Sequence, residues 1–537
     1  MSTASGELQS VGWRRLMLVF ALGFAFFVIR RQLTESTWVP MGADWDSWLQ
    51  GAVSLRFGGS YPMVRWPLFG FCVAVVDFLL PTPLHISAQL LSMASVAGSA
   101  AGLFWILGRL FSNNFWAWVG WFFCLTFPLN MSFAEWCSSY ALWGCACVWT
   151  VVSLFEYHHS RQLKWAFGMG VGTAFSLAIM AKGLALGAFF GVFSIALLLL
   201  SGRRFGLSFA FFVLPLVIAY LSYAHFDHEL KSLDAHIASV DFARNRPLKA
   251  GHIYDPTEDP HAYASKGYVF GQSMSPKTVL DALQFSAQSV EPEQRQRNYQ
   301  RSTQIIQTAF PSLSSVYLVY LCLSFVGLMV FCRRGWVCWL SASAILLSSV
   351  PSLFVEFNMR FLIPSTAVGA LLVIAPIAAI ASAIPKFGSL VGASMALGVW
   401  FTTPSSDHEA TFNWLDALLV KGKQGIWIES QLPKGIVHVI APPSIGVPVA
   451  GARGGHLIVP GSSQLDQPFA IPESDLVLMW VDFPDWAKEG EIFTISPMMP
   501  PFPEGLTQLE GRKVLKRHPL FQSGAGVVVL GALIDSQ

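Results

Sequence analysis

The sequence predicts an all-α polytopic membrane protein, with about 11 transmembrane helices and interfacial helices in its first outer loop, followed by a small soluble α/β domain. Three observations carry this. Charged residues make up 12% of the 537-residue chain and hydrophobic ones 53%, whereas a soluble domain carries about 25% charge. Apolar runs long enough to cross a hydrocarbon core of about 30 Å recur along the chain. After residue 402 the apolar helical pattern stops and short strand-like runs begin.

The apolar runs fall near 13–33, 86–108, 114–131, 137–155, 165–181, 185–201, 205–223, 313–332, 336–351, 361–383 and 388–402. The first could be read as a signal peptide, but Arg30 and Arg31 follow it, no small-x-small cleavage site is clear and more spans come after. It is taken as an uncleaved helix. One further segment, "RWPLFGFCVAVVDFLLP" (65–81), is short, bounded by Pro67 and Pro81, and carries Asp77. If it does not cross, Arg14, Arg15, Arg109, the "HHSRQLK" loop, Arg203, Arg204, Arg333, Arg334 and Lys386 all share one side, which the positive-inside rule makes cytoplasmic. If it does cross, every cluster after the first flips. The first arrangement is expected, with the N-terminus inside and the C-terminus outside.

Two surface helices, roughly 44–57 and 65–80, then lie in the first outer loop (34–85), joined by the turn signals "FGGSYP". A long outer loop, 225–310, is polar, with a helical stretch near 276–309. The spans and loops make a membrane domain over 1–402 and an outer α/β domain over 403–537, where "TFNWLDALLVKGKQGIWIESQL" reads as a helix and "IVHVIA", "HLIV", "DLVLMWV" and "GVVVLGAL" as strands. No internal repeat is evident, which disfavours an inverted-repeat transporter.

A net charge of +2 gives no basis for nucleic-acid binding. The eight cysteines all lie in or beside apolar segments, so no disulfide framework is expected. Cys145 and Cys147, two apart, fall on different helix faces and read as packing residues.

The polar residues that need explaining gather on the outer side. "GADWDSWLQGA" holds Asp44 and Asp46; on a helix Asp44, Trp48 and Ala52 share a face at i, i+4 and i+8, and Asp46 points elsewhere. Lys182 interrupts an apolar helix pair, either as a functional charge at membrane depth or as a snorkelling helix end. Glu356 and Arg360, four apart, either pair structurally or leave the guanidinium to hold a phosphate. Glu135 is a loop acid, solvated or functional. Acids and phosphate-binding cations at one interface suit an enzyme with a lipid phosphate as leaving group: a carboxylate takes the acceptor's proton and cations stabilise the departing phosphate. No glycine-rich phosphate loop offers a seat for a soluble nucleotide.

At this point four stretches resemble the GT-C glycosyltransferases that use polyprenyl-phosphate sugars, in the branch of the protein O-mannosyltransferases, lipid A aminoarabinose transferases and Rgt-type lipopolysaccharide sugar transferases. "ADWDSWLQGA" is similar to the family's acidic first-loop helix. "YPMVRWPLFGFCVAVVDFLLP" is similar to its Lys-Pro-Pro-Leu helix, with Arg65 and Trp66 where Lys and Pro are usual. "GVGTAFSLAIMAKGLALGA" resembles its "G-x-x-x-G-L-A-x-L-T-K-G" segment, with Ala181 replacing Thr, and "RFLIP" its "R-Y-L-L-P". The likeness covers about 40–400, in the family's order.

The resemblance implies transfer of a sugar from a polyprenyl-phosphate donor to a hydroxyl of a lipid, glycan or protein acceptor, with inversion, in a bacterial inner membrane and with the C-terminal domain in the periplasm. It implies Asp44 as catalytic acid by pattern, with Glu135 at the second-loop position where Asp is more usual. Asp46 departs from the family's acidic neighbour directly after the first Asp, which leaves the division of labour between Asp44 and Asp46 open. Trp48, Arg65, Lys182, Glu356 and Arg360 are the implied substrate-binding residues. No cofactor is specified; a divalent metal is left open, and the spacing of His225, His228, His236, His252 and His261 fits no ligand pattern. The alternatives are a transporter or flippase of a lipid-linked saccharide, which would need acids inside the spans, and a non-catalytic assembly or receptor protein.

Overall fold

The computed structural model describes residues 12–34, 38–41, 45–59, 67–111, 114–179, 183–200, 202–232, 296, 299–300, 335–348, 363–384, 388–402, 413–441, 443–458, 471–472, 474–481, 489–492, 509, 511–519 and 526–533. By contact the chain forms two compact units. The first comprises residues 1–36, 90–223 and 290–413, the second 37–89, 224–289 and 414–537.

The first unit is helical. It holds α1 (Trp13–Thr34), most of α4 (Leu84–Leu110), α5 (Asn114–Thr126), α6 (Pro128–Ala134), α7 (Tyr140–Ser160), α8 (Leu163–Ile179), α9 (Gly183–Leu199), the apolar part of α10 (Phe205–Ser232), α11 (Trp336–Ser348), α12 (Ile363–Ala383) and α13 (Gly388–Thr402). Among the described residues, four helices are long and apolar enough to cross a membrane: α1, α4, α7 and the stretch Phe205–Ser222 of α10. Ten of the expected runs are thus helical; 313–332 lies outside the described residues. The crossing count of eleven rests on the sequence. α4 and α7 are central, 83% buried over their apolar windows, whereas α1 is 28% and α10 17% buried. Leu18, Leu22, Ile29, Leu207, Ile218 and Leu221 lie exposed on those last two, the surface a lipid-facing helix presents. Small residues let the helices meet: a Cβ on Gly172 of α8 would overlap the Thr150 hydroxyl of α7.

The run 114–131, expected as one span, is broken. Phe127 is extended (φ −62°, ψ 125°), as a residue before proline prefers, and Pro128 opens α6 at a position where its missing N–H costs nothing. The Cys124 carbonyl would have accepted from the N–H that Pro128 lacks; the Asn130 side chain donates to it instead at 2.9 Å.

Two ion-pair clusters sort the helix ends into two faces. Glu135, just after α6, receives Arg30 and Arg31 from the end of α1. Glu156, near the end of α7, receives Arg109 from the end of α4 (2.7 and 3.1 Å) and the Trp105 indole N–H at 2.8 Å. The pairing follows the up-and-down alternation of the predicted spans. Sidedness is a prediction: a reporter fused at residue 110 is expected to read cytoplasm and one after residue 402 the exterior, and an exterior signal at 110 would overturn the parity.

The second unit contains α2 (Trp45–Phe57), α3 (Pro67–Leu79) and an α/β layer built from α14 (Asn413–Gln431), β1 (Val437–Ile440), α15 (Pro443–Arg453), β2 (Leu457–Ile458), β3 (Leu476–Val481), β4 (Arg512–Pro519) and β5 (Gly526–Leu533). The sheet order is β2-β1-β3-β5-β4, with β1 parallel to β2 and β3, and β5 antiparallel to β3 and β4. Its core comprises Ile440, Ile458, Ile471, Val477, Met479, Leu509, Val514, Val528 and Leu530. Four of the five strands match the apolar runs in the sequence. β4, "RKVLKRHP", does not, because it is an edge strand in which Lys513 and Lys516 face solvent and Val514 is the buried apolar residue. The buried Arg512 pins this sheet end, donating to the carbonyls of Gly531 and Pro472.

Candidate active site

The two first-loop helices are as expected in place and length. α3 has 13 residues, about 20 Å at 1.5 Å per residue, and is one of the shorter apolar helices among the described residues. α2, also 13 residues, begins at Trp45 and carries Asp46 in its first turn, where the positive end of the helix dipole favours a carboxylate. Asp46 is half-buried. Trp48 and Ala52 do share a face, and that face is packed: they are 3% and 0% exposed. The Trp48 ring meets Phe69 of α3 edge-on at 5.6 Å. Gly70 lets α3 approach closely, since a Cβ there would lie 3.1 Å from the Ala52 nitrogen.

At the far end of the pair, Arg56 donates through Nε to Asp77 at 2.9 Å, and its guanidinium lies over the Phe57 and Phe78 rings at 5.2 and 5.8 Å. The acid that made 65–81 an awkward span is therefore 7% exposed but bound to α2. The chain leading into α2 is tied as well. Gln89 donates to the Val39 carbonyl at 2.7 Å, and a His85 ring nitrogen lies 3.0 Å from the Trp38 carbonyl.

Glu135 belongs to the first unit and is no solvated loop acid. It is 7% exposed and shared by Arg30 and by Arg31, whose Nη1 lies 3.4 Å away and which is itself 1% exposed. Asp46 and Trp48 both lie on α2. Asp44, Arg65, Lys182, Glu356 and Arg360 lie outside the described residues. Among the described residues no group of three or more His, Cys, Asp or Glu could hold a metal ion.

Three polar clusters escape a linear reading because their partners are far apart in sequence: Arg56 with Asp77, Arg109 with Glu156, and His438 with Asp475. Of their members only Asp77 and Arg109 drew notice in the sequence, as the acid in the doubtful 65–81 segment and as one of the basic residues on the expected cytoplasmic side. In the α/β layer, His438 Nε2 lies 3.0 Å from an Asp475 carboxylate oxygen, and its Nδ1 accepts the His456 backbone N–H at 3.4 Å. The His456 ring stands edge-on to His438 at 5.0 Å. Burial first, and then the neighbouring His438, hold the His456 ring below its ordinary 6.5.

The described residues thus define a mostly helical protein with four candidate membrane-crossing helices, a pair of short helices before the second of them, and one small mixed sheet. No family model and no curated protein matches the chain. Among solved structures it is similar to ArnT from Cupriavidus metallidurans bound to undecaprenyl phosphate, over 98% of this chain and 99% of that one, with a TM-score of 0.39 and 10% identity. The apo state of the same protein gives a TM-score of 0.33 and 12% identity over 97% and 98%. At that level of likeness residue roles do not transfer.

Proposed function

We propose that the chain is a GT-C-type integral membrane glycosyltransferase of a bacterial inner membrane. It moves a sugar from a polyprenyl-phosphate donor to a hydroxyl of an envelope acceptor (a lipid such as that of lipopolysaccharide, a glycan, or a protein undergoing glycosylation) on the outer face. The observation that supports this reading is Asp46 in the first turn of a 13-residue helix packed on a second 13-residue helix, with Asp44 two residues before it in the sequence. With the pair lying along the outer surface, as the charge distribution of the loops favours, its acids sit where a membrane-borne donor meets a water-borne hydroxyl. The four family-like stretches in family order support it.

The acceptor oxygen attacks the anomeric carbon as the carbon–oxygen bond to phosphate breaks. Asp44 takes the hydroxyl proton, and the phosphate leaves with the bonding pair. A single displacement inverts the anomeric centre. Lys182 and Arg360 stabilise the departing phosphate, with Arg65 and Glu356 lining the donor side, while Trp48 holds α2 on α3 from behind.

The test is release of free polyprenyl phosphate by purified full-length protein given a radiolabelled pool of polyprenyl-phosphate sugars. Movement of intact lipid-linked saccharide across a vesicle, without release, would make the protein a flippase; neither result would leave an assembly role. In the same assay Lys182→Ala and Arg360→Ala are each expected to slow turnover about ten- to hundredfold, since a charge-assisted hydrogen bond is worth about 1.5–3 kcal/mol. Wild-type rates would reduce both to structural or snorkelling roles.

A further inference from the structure

We infer that the C-terminal α/β layer is a positioning element for the first-loop acids: it grips α2 at both ends and so sets where Asp46, in its first turn, and Trp45, the chain neighbour of Asp44, are held. The inference rests on the function proposed above, and the grip itself is visible without it. At the acidic end, Trp45 is fully buried, and a Cβ on Gly422 of α14 would lie 3.2 Å from its ring carbon Cζ2 and 3.6 Å from Pro40. The bare glycine is what leaves the indole its seat.

The other end is held by backbone. Gly58 and Gly59 follow α2 with φ of +90° and +112°, conformations that favour glycine. Gly59 pairs with Leu457 as a parallel bridge on the outer edge of β2, and a Cβ on Gly59 would overlap the Leu457 carbonyl oxygen. A Cβ on Gly58 would stand 3.2 Å from His456 Nε2. Behind them, His456 is linked through its backbone to His438 and so to Asp475, which fixes the seat to β1 and to the start of β3. Between the two ends α2 packs along α15 and β2.

A carboxylate must be within hydrogen-bond reach of the hydroxyl it deprotonates, and a misplacement of about 1 Å can cost a hundredfold. Trp45 and Gly422 therefore act through the acids beside them, as positioning residues, and do not touch substrate.

The test uses the full-length chain carrying Gly422→Val, Gly59→Ala, or Gly422→Val combined with Trp45→Phe. Two quantities are measured: amide hydrogen exchange of residues 46–57, and kcat and KM per folded molecule. Gly422→Val is expected to speed exchange across 46–57 and to lower kcat about tenfold or more, with the donor KM within about twofold. The smaller ring of Trp45→Phe should restore most of kcat, which a general loss of folded protein would not allow. Gly59→Ala should speed the same exchange from the other end; should it not fold, the Gly422 pair decides. Unchanged exchange in the variants would show that the layer does not hold α2, and faster exchange with wild-type kcat would show that its hold does not set the reaction; either overturns the inference. If the wild-type chain transfers no sugar, the proposed function falls by itself, and the exchange result alone decides whether the layer anchors α2.

Discussion

Asp44→Asn is expected to abolish sugar transfer, while Asp46→Asn keeps measurable activity. Asn preserves the size and most of the hydrogen bonding of Asp but cannot take a proton at working pH, so it separates base chemistry from packing. Losing a general base costs about 10²–10⁴-fold. The choice of Asp44 follows from its match to the family's first-loop acid and from the i, i+4 line it shares in sequence with Trp48 and Ala52. Asp46 sits in the first turn of α2, two residues on. Both single variants and the double should be assayed at matched membrane levels. A dead Asp46→Asn beside an active Asp44→Asn would swap the two roles, and normal turnover in all three would remove the mechanism.

Glu135→Gln is expected to damage the fold more than the chemistry. The carboxylate serves two arginines at the joint of α1 and α6, and Arg31 is 1% exposed. Breaking a buried pair from one side typically costs about 3–5 kcal/mol; because Arg30 is about a third exposed, the loss should fall near the lower end. That is still roughly a hundredfold in the folding equilibrium, visible as a lower unfolding temperature in detergent and reduced yield. Replacing both sides, Arg31→Met with Glu135→Leu, should recover much of it, since an apolar pair of similar volume is often as stable as a buried ion pair. Turnover per folded molecule should stay within a few-fold of wild type. Lost turnover with an unchanged unfolding temperature would instead put Glu135 in the chemistry.

What could be read from the chain was what repeats locally. α2 and α3 were legible because the apolar runs are short and bounded by "FGGSYP" and two prolines. Four strands were legible as runs of Val, Leu and Ile. β4 was not, because an edge strand keeps its charges and needs only one face to be apolar. The break at Phe127 has its cause in Pro128, a residue plainly visible in the sequence, yet the apolar run on both sides of it reads as one helix. The ion pairs were illegible for another reason. Arg56 and Asp77 lie 21 residues apart, Arg109 and Glu156 47, and Arg30 and Glu135 105, separations no local period encodes. The candidate acids could be found by type and by motif; that Trp48 faces inward on Phe69, and that Glu135 is clasped by two arginines, needed the tertiary structure.

The bridge between Gly59 and Leu457 joins residues 398 apart (457 − 59). At a synthesis rate of about 5–20 residues per second, α2 leaves the ribosome about 20–80 s before the strand it docks on exists. Throughout that interval Trp45 and the half-buried Phe57 have no α/β layer to rest against, and the helix must wait against lipid or a chaperone. The last quarter of the gene thus closes a clasp left open near its beginning. A ribosome that stalls before codon 437 releases a chain whose α2 has α3 to pack on but no strand to dock against, a product better recognised by quality-control proteases than by substrate.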